Sequence, residues 1–500
     1  MAGTASRLDA LLAEVSDLNH AAALVNWDER VCMPEGGVAA HGEMLATVRR
    51  LAHEKFTSDE VGRLIERAKA ELNGSNPDSD DYKKVAVAAR DYERATRVPG
   101  EFIAEMARAS STGHEVWRAA REQADFRIFE PHLSRMFDLK RRFVEFFHPL
   151  SHPYDALLDD FEPGTLTADV LAMFDALRPR QVALIRAIRD ARPVDDGFMR
   201  LPYPEKDILN FALKVVSAFG FDWKRGRQDK SAHPFATSMG SDDVRITTRY
   251  DAAHPFETLF SMLHETGHAL YEQGISPRWS RSVVRGGASL GVHESQSRLW
   301  ENIIGRSRPF WEYFFSALQQ QFPSQLSEIA LDAFYRGINK VQPSLIRVEA
   351  DEVTYNLHVM LRVEMEIGLL SGEIKISDAP EVWNSKMTDY LGITPTDAAN
   401  GILQDMHWSV GLMGYFPTYT IGNLISVQLW EKFRAAEPDV DDLSRRGDFS
   451  ALRRWLQEEV HQHGRSYMPR DLVRRVTGTA MDPGPYLSYL ENKYREIYGL

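Results

Sequence analysis

Cysteine is almost missing from this chain of 500 residues: Cys32 stands alone, so no disulfide can close within it. A lone cysteine excludes a disulfide-stapled scaffold and favours a reducing compartment, so the cytoplasm is the expected location. It also excludes a cysteine-rich metal site, leaving histidine and carboxylate to hold any zinc. Long apolar runs are lacking too. No stretch approaches the roughly 20 residues of a membrane-spanning helix. The N-terminal MAGTASRLDALLAEVSDLNH mixes acids with apolar residues at helical spacing and reads as neither signal peptide nor anchor. Positive charge is in deficit: Lys and Arg number 59 against 72 Asp and Glu, a net charge of -13. The basic residues are scattered among acids, which argues against a nucleic-acid footprint. Gly/Ser linkers, low-complexity tracts and internal repeats are absent, so residues 1–500 are expected to form one domain with no readable internal boundary.

What the chain has is helical periodicity. With 43% hydrophobic and 26% charged residues it has the composition of an ordinary globular protein. Helices are predicted over Ser6–Leu24, Ala39–Leu72, Ser79–Arg94, Gly100–Phe147, Ala168–Arg192, Lys206–Ala218 and Pro255–Gln273. More are predicted over Glu294–Ile304, Pro309–Gln319, Ser324–Val341, Asp351–Leu370, Ala379–Leu391, Ile421–Ala436, Asp448–His463 and Pro483–Tyr498. Ser79 and Ser324 stand where N-caps belong. Strand-like alternation is confined to Asp243–Tyr250, DVRITTRY. The expected fold is mainly α: a single large helical body whose long helices wall a deep groove, with a small β element near the Pro255–Gln273 helix.

That helix carries His264-Glu265-Thr266-Gly267-His268, an H-E-x-x-H pentapeptide. Residues four apart on a helix share a face, so two imidazoles present to one point, as a zinc ion requires. Glu265 between them is placed to act on a water there. With 16 His and at most about half of the 72 acidic residues being Glu, chance alone would write this motif in roughly 4 chains of 100, so further residues must support it. A catalytic zinc takes a third protein ligand. Glu294 is the leading candidate, at the start of a helix 26 residues past His268. Glu272, one turn beyond His268, is the local competitor, and His293 is a ligand or a group that orients substrate.

Further phrases resemble the carboxypeptidase Taq family of zinc metallocarboxypeptidases. They are His233-Pro234-Phe235, Asp243-Val244-Arg245-Ile246-Thr247, the HETGH itself and His293-Glu294-Ser295-Gln296. Trp27-Asp28-Glu29 with Met33-Pro34, IRVEADEVTY (Ile346–Tyr355) and DMHWSVGLMGYFPTYTIGN (Asp405–Asn423) also match, without departure from the motifs. The resemblance spans essentially the whole chain. It implies one catalytic domain, zinc held by His264, His268 and Glu294, and Glu265 as general base. It also implies a homodimer that accepts cobalt in place of zinc. The activity implied is removal of single C-terminal residues from peptides, with broad side-chain tolerance.

Such chemistry needs further donors to a tetrahedral oxyanion; His407 and Tyr419 are the candidates, with Tyr415 as alternate. It also needs an arginine fork for the substrate carboxylate. Arg245 has the better case, since the resemblance puts its motif at the closed end of the groove; the bland reading is an ion pair with Asp243 or Asp242. Arg347 is the second candidate, set among Glu349, Asp351 and Glu352. His233 is expected to line the groove, whereas the second HPF, His254-Pro255-Phe256, opens the zinc helix with Pro255 in a helix-starting place. Cys32 is expected to pack as a small apolar residue, Asp159-Asp160-Glu162 to form a solvated turn, and Tyr486, Tyr489, Tyr494 and Tyr498 to pack along a helix. A carboxydipeptidase or an oligoendopeptidase shares the zinc chemistry and is the competing reading. A metal-stabilised binding protein is the third, against which an intact Glu265 speaks.

Overall fold

Almost every element of this computed structural model, which describes residues 4–500, is a helix. The N-terminal segment supplies Thr4–Val31, Val38–Phe56, Asp59–Glu71 and Asp80–Arg97. Their apolar stripes close on one another through Leu8, Leu11, Val61, Leu64, Ile65 and Val85. A second and much larger core runs from Phe102 to Ile497.

The predicted helices recur with breaks at physical boundaries. Ala39–Leu72 divides at Ser58, whose hydroxyl accepts from the Val61 amide and caps a new start. Gly100–Phe147 divides at Ala124, whose φ of 51° lies outside helical space. Ser79 caps its helix as expected. Ser324 does not: the short helix there opens at Pro323, with no side-chain cap. Helices not anticipated run over Val440–Arg445 and Pro469–Thr477.

The β element has three strands, β1 (Gly226–Lys230), β2 (Ala236–Ser238) and β3 (Val244–Thr248), in the order β1-β3-β2. β3 pairs parallel with β1 and antiparallel with β2, and this leaves β2 at an edge. The sheet packs on the helix Pro255–Gly274, which is apolar around most of its circumference. Phe256, Leu259, Phe260, Met262, Leu263, Ala269, Leu270 and Tyr271 are all buried, and each such Leu or Phe contributes about 2 kcal/mol by leaving water. A helix buried all round is part of the core itself, so residues it carries are held rigidly.

Three expectations need correction. Cys32 is exposed, so it is not the buried apolar packing residue expected. Asp159 and Asp160 are paired with Arg94, and Glu162 is buried and accepts from the Gly291 amide, so this is no solvated turn. The helix Pro417–Ala436 begins four residues before the expected Ile421, so Tyr419 lies in its first turn.

Candidate active site

Three helices converge on the pentapeptide: Pro255–Gly274, Leu290–Arg298 with the π-helical Leu299–Ile304 that continues it, and Pro417–Ala436. They approach at backbone distance because glycines stand at the crossings. A Cβ on Gly267 would lie 2.5 Å from the Gln296 carbonyl oxygen and 2.6 Å from Ser297 Cα. One on Gly422 would meet Glu294 Cγ at 2.5 Å.

This packing delivers His264, His268 and Glu294 to one place, their ligand atoms all within 4.8 Å of one another. Glu294 Oε2 stands 3.6 Å from His264 Nε2 and 3.7 Å from His268 Nε2. Ligands about 2.1 Å from a tetrahedral ion lie about 3.4 Å apart, so a dication fits with small adjustment. The outward atoms of all three are occupied. His264 Nδ1 donates to Glu301 Oε2 at 2.8 Å. His268 Nδ1 meets His293 Nδ1 at 2.6 Å, and His293 Nε2 meets Glu272 Oε1 at 3.0 Å. With one N–H per neutral ring, proton donation runs outward from His268 to His293 to Glu272, leaving a lone pair on His268 Nε2. Arg298 donates to Glu294 Oε1 at 2.7 Å, which frees Oε2 for the histidines.

Electrostatics follow these partners. Burial would raise Glu301, but Arg298 and His264 outweigh it and hold the carboxyl at about 2. Glu272 is likewise held at about 2 against burial, by His293 and Arg285. Burial works against charging His264 also, yet Glu294 and Glu301 raise it, whereas burial and its neighbours His293 and His264 press His268 well down. Burial pushes Glu265 up to about 7, partly offset by His264.

Across the site, Asp405 anchors a second cluster. Its Oδ1 accepts from Arg347 Nη2 at 2.8 Å and its Oδ2 from Arg362 Nε at 2.6 Å. Burial opposes ionisation of Asp405, but the two guanidiniums keep its carboxyl far below the usual range. The partner of Arg347 is therefore Asp405, and not the Glu349, Asp351 and Glu352 cluster. Arg347 Nη1 also donates to the Tyr355 hydroxyl at 3.0 Å, and the Tyr355 ring lies 4.5 Å beneath Arg298. His407, Tyr415 and Tyr419 stand together, with ring centroids 5.5 Å apart for His407 and Tyr415 and 5.4 Å for the two tyrosines. Burial lowers His407 to about 4 and raises both phenols, so the tyrosines stay protonated.

On the sheet side, Arg245 forks onto Asp243 at 2.8 and 2.7 Å, and its guanidinium lies 4.3 Å over the Trp27 ring. The loop bearing exposed His233 is tied to β3 through Thr247, whose hydroxyl accepts from the Phe235 amide at 2.9 Å.

A family profile described as "Carboxypeptidase Taq (M32) metallopeptidase" matches residues 7–494. The chain belongs to that family. It is 41% identical over 497 residues to thermostable carboxypeptidase 1 of Thermus thermophilus, covering 97% of each chain. It is 37% identical over 489 residues to carboxypeptidase 1 of Bacillus subtilis, covering 98% of this chain and 97% of that one. The crystal structure of the M32 carboxypeptidase from Deinococcus radiodurans R1 superposes with a TM-score of 0.96 at 37% identity, covering 99% and 100% of the two chains. The M32 metallocarboxypeptidase therefore acts on peptides and works through a metal ion.

Several residues of this carboxypeptidase site escape a reading from motifs. Glu301 braces His264 and Arg298 braces Glu294. Glu294, Arg298 and Glu301 form an i, i+4, i+7 stripe, a signal present in the sequence. Tyr355 links the Arg347 cluster to Arg298, and only three-dimensional packing reveals that. Glu272 and His293 lie behind His268 and outside the ligand cluster. Both His293 nitrogens are engaged there, so its placement suits holding His268 and not touching substrate.

Proposed function

We propose that the chain is a zinc-dependent carboxypeptidase that removes single C-terminal residues from peptides with broad tolerance. The observation that carries this reading is the inward-facing triad of His264, His268 and Glu294, each with its outer atom occupied, beside a buried Glu265. A zinc bound by those three supplies Lewis acidity to a water and to the scissile carbonyl. Glu265, as general base, takes the proton from the attacking water and returns it to the leaving amine. Tyr419, with Tyr415 as alternate, and His407 donate hydrogen bonds to the developing oxyanion. Arg245 reads the substrate carboxylate: its Nη1 is uncommitted among the described residues, and Asp243 is 42% exposed, so the pair can yield to a ligand. All three guanidinium nitrogens of Arg347 already have partners. It is better suited to positioning Tyr355 and Tyr419, while His233 borders the groove.

One unstructured peptide tests the reading. Metal analysis should find one zinc per chain, and mass spectrometry should show single residues leaving the C-terminus until a chelator is added. Cobalt should restore the stripped enzyme. Loss of residues in pairs would favour a carboxydipeptidase, and indifference to C-terminal amidation would remove the carboxylate-reading step. We also infer a cytoplasmic homodimer, to be checked by light scattering and by fractionation of cells.

A further inference from the structure

A cavity of about 390 Å³ lies between the two N-terminal helices Thr4–Val31 and Val38–Phe56 and the segment after the HETGH helix. Arg49, Arg285, Arg465, His20, His53 and Asp91 line it. The arginines come from three distant stretches of chain and are brought together by the fold. The Arg465 amide donates to the Val284 carbonyl at 2.9 Å, which sets Arg465 beside Arg285. Arg49 faces them from the helix wall.

Positive charge exceeds what the local acids cancel. Asp91 is shared between Arg90 at 2.8 Å and Arg465 at 3.1 Å. Asp17, on the lining helix, is taken by Arg281 at 2.5 Å. Arg49 makes no ion pair among the described residues. The Arg285 side chain is only 9% exposed, yet just its Nη2 is bonded, to Ser238 at 2.8 Å and Glu272 at 3.1 Å. Its Nε is buried without any partner. A buried N–H without a partner is destabilising until an acceptor reaches it, and an arginine fork is shaped for a carboxylate or phosphate. Glu272 holds two other donors, His293 and Ser238, so it stays in place when Arg285 engages a further anion.

We propose that this cavity is an anion-binding subsite in which Arg285, Arg49 and Arg465 take one carboxylate or phosphate group. Two sources have that chemistry: a free anion, or an acidic side chain of the peptide upstream of the cleaved bond. Two assays on the metal-loaded enzyme separate them. In the first, inorganic phosphate is titrated calorimetrically into the native chain and into the Arg49→Ala/Arg465→Ala variant. A free-anion site binds phosphate saturably, and the variant weakens it at least tenfold. In the second, peptides differing only by Glu or Gln upstream of the cut are compared. A substrate subsite gives at least a threefold preference for Glu in kcat/KM, erased in the variant. Phosphate binding of equal strength in both proteins belongs to the metal and, with no preference for Glu, overturns the proposal. Arg49→Ala alone, on an exposed helix face, repeats both assays if the double variant loses thermal stability.

Discussion

The candidate metal triad and the two candidate carboxylate readers are built on opposite plans. In the triad every outward atom is bonded and every inward atom is free, so the ligands wait in position. Arg245 and Arg347 are already bonded to Asp243 and Asp405, so recognition there means exchanging one anion for another. The first arrangement fixes geometry before substrate arrives, and the second ties substrate affinity to the strength of a resident pair. Burial separates the two arginines further: Arg347 is enclosed, whereas Asp243 beside Arg245 meets water.

The sharpest test of the preorganised side is Glu265→Gln. It should cut kcat by about 10³-fold or more while metal content stays at the native level; lost metal would mean that Glu265 is structural. On the recognition side, Arg347→Ala strands Asp405 with one guanidinium and should cost about 3–5 kcal/mol of stability in denaturant unfolding. Arg245→Ala should leave stability nearly intact and raise KM for free-carboxylate peptides by about 10- to 100-fold, with no effect on amidated ones. Equal behaviour of the two variants would erase the contrast drawn between them. Glu301→Ala should weaken metal binding by about 10- to 100-fold, measured by competition with a chromophoric chelator. The smallest effect lies behind the site. Burial raises Glu162 from the usual carboxylate range to about 8, although the Gly291 amide opposes it. The folded state thus favours the protonated form, and stability present below about pH 4.5 is lost as pH rises through 8. Glu162→Gln should flatten that decline, about 2 kcal/mol between pH 6 and pH 8.

How much of this was written in the sequence differs by element. The helices were legible because apolar periodicity is strong, and β3 because VRITT alternates. β1 and β2 were not: GRQDK is polar throughout and ATS is three residues long, so their strand character comes from pairing alone. The pairing of His264 and His268 was legible because residues four apart share a helix face; Glu294, on another helix, was reached through its HESQ motif. The Asp405 cluster was not, since Arg347, Arg362 and Asp405 meet only through packing. His293 was visible in its motif, but its place between His268 and Glu272, outside the cluster of His264, His268 and Glu294, comes from packing alone.

Gly267 gives the pentapeptide a consequence that its spelling hides. H-E-x-x-H leaves its fourth letter free, but here the neighbouring helix has claimed that space down to the backbone. Even a methyl would wedge the two helices apart and carry Glu294 away from the histidines. In this protein the alphabet at that place has a single letter. A library randomised at Gly267 should therefore return almost nothing but glycine.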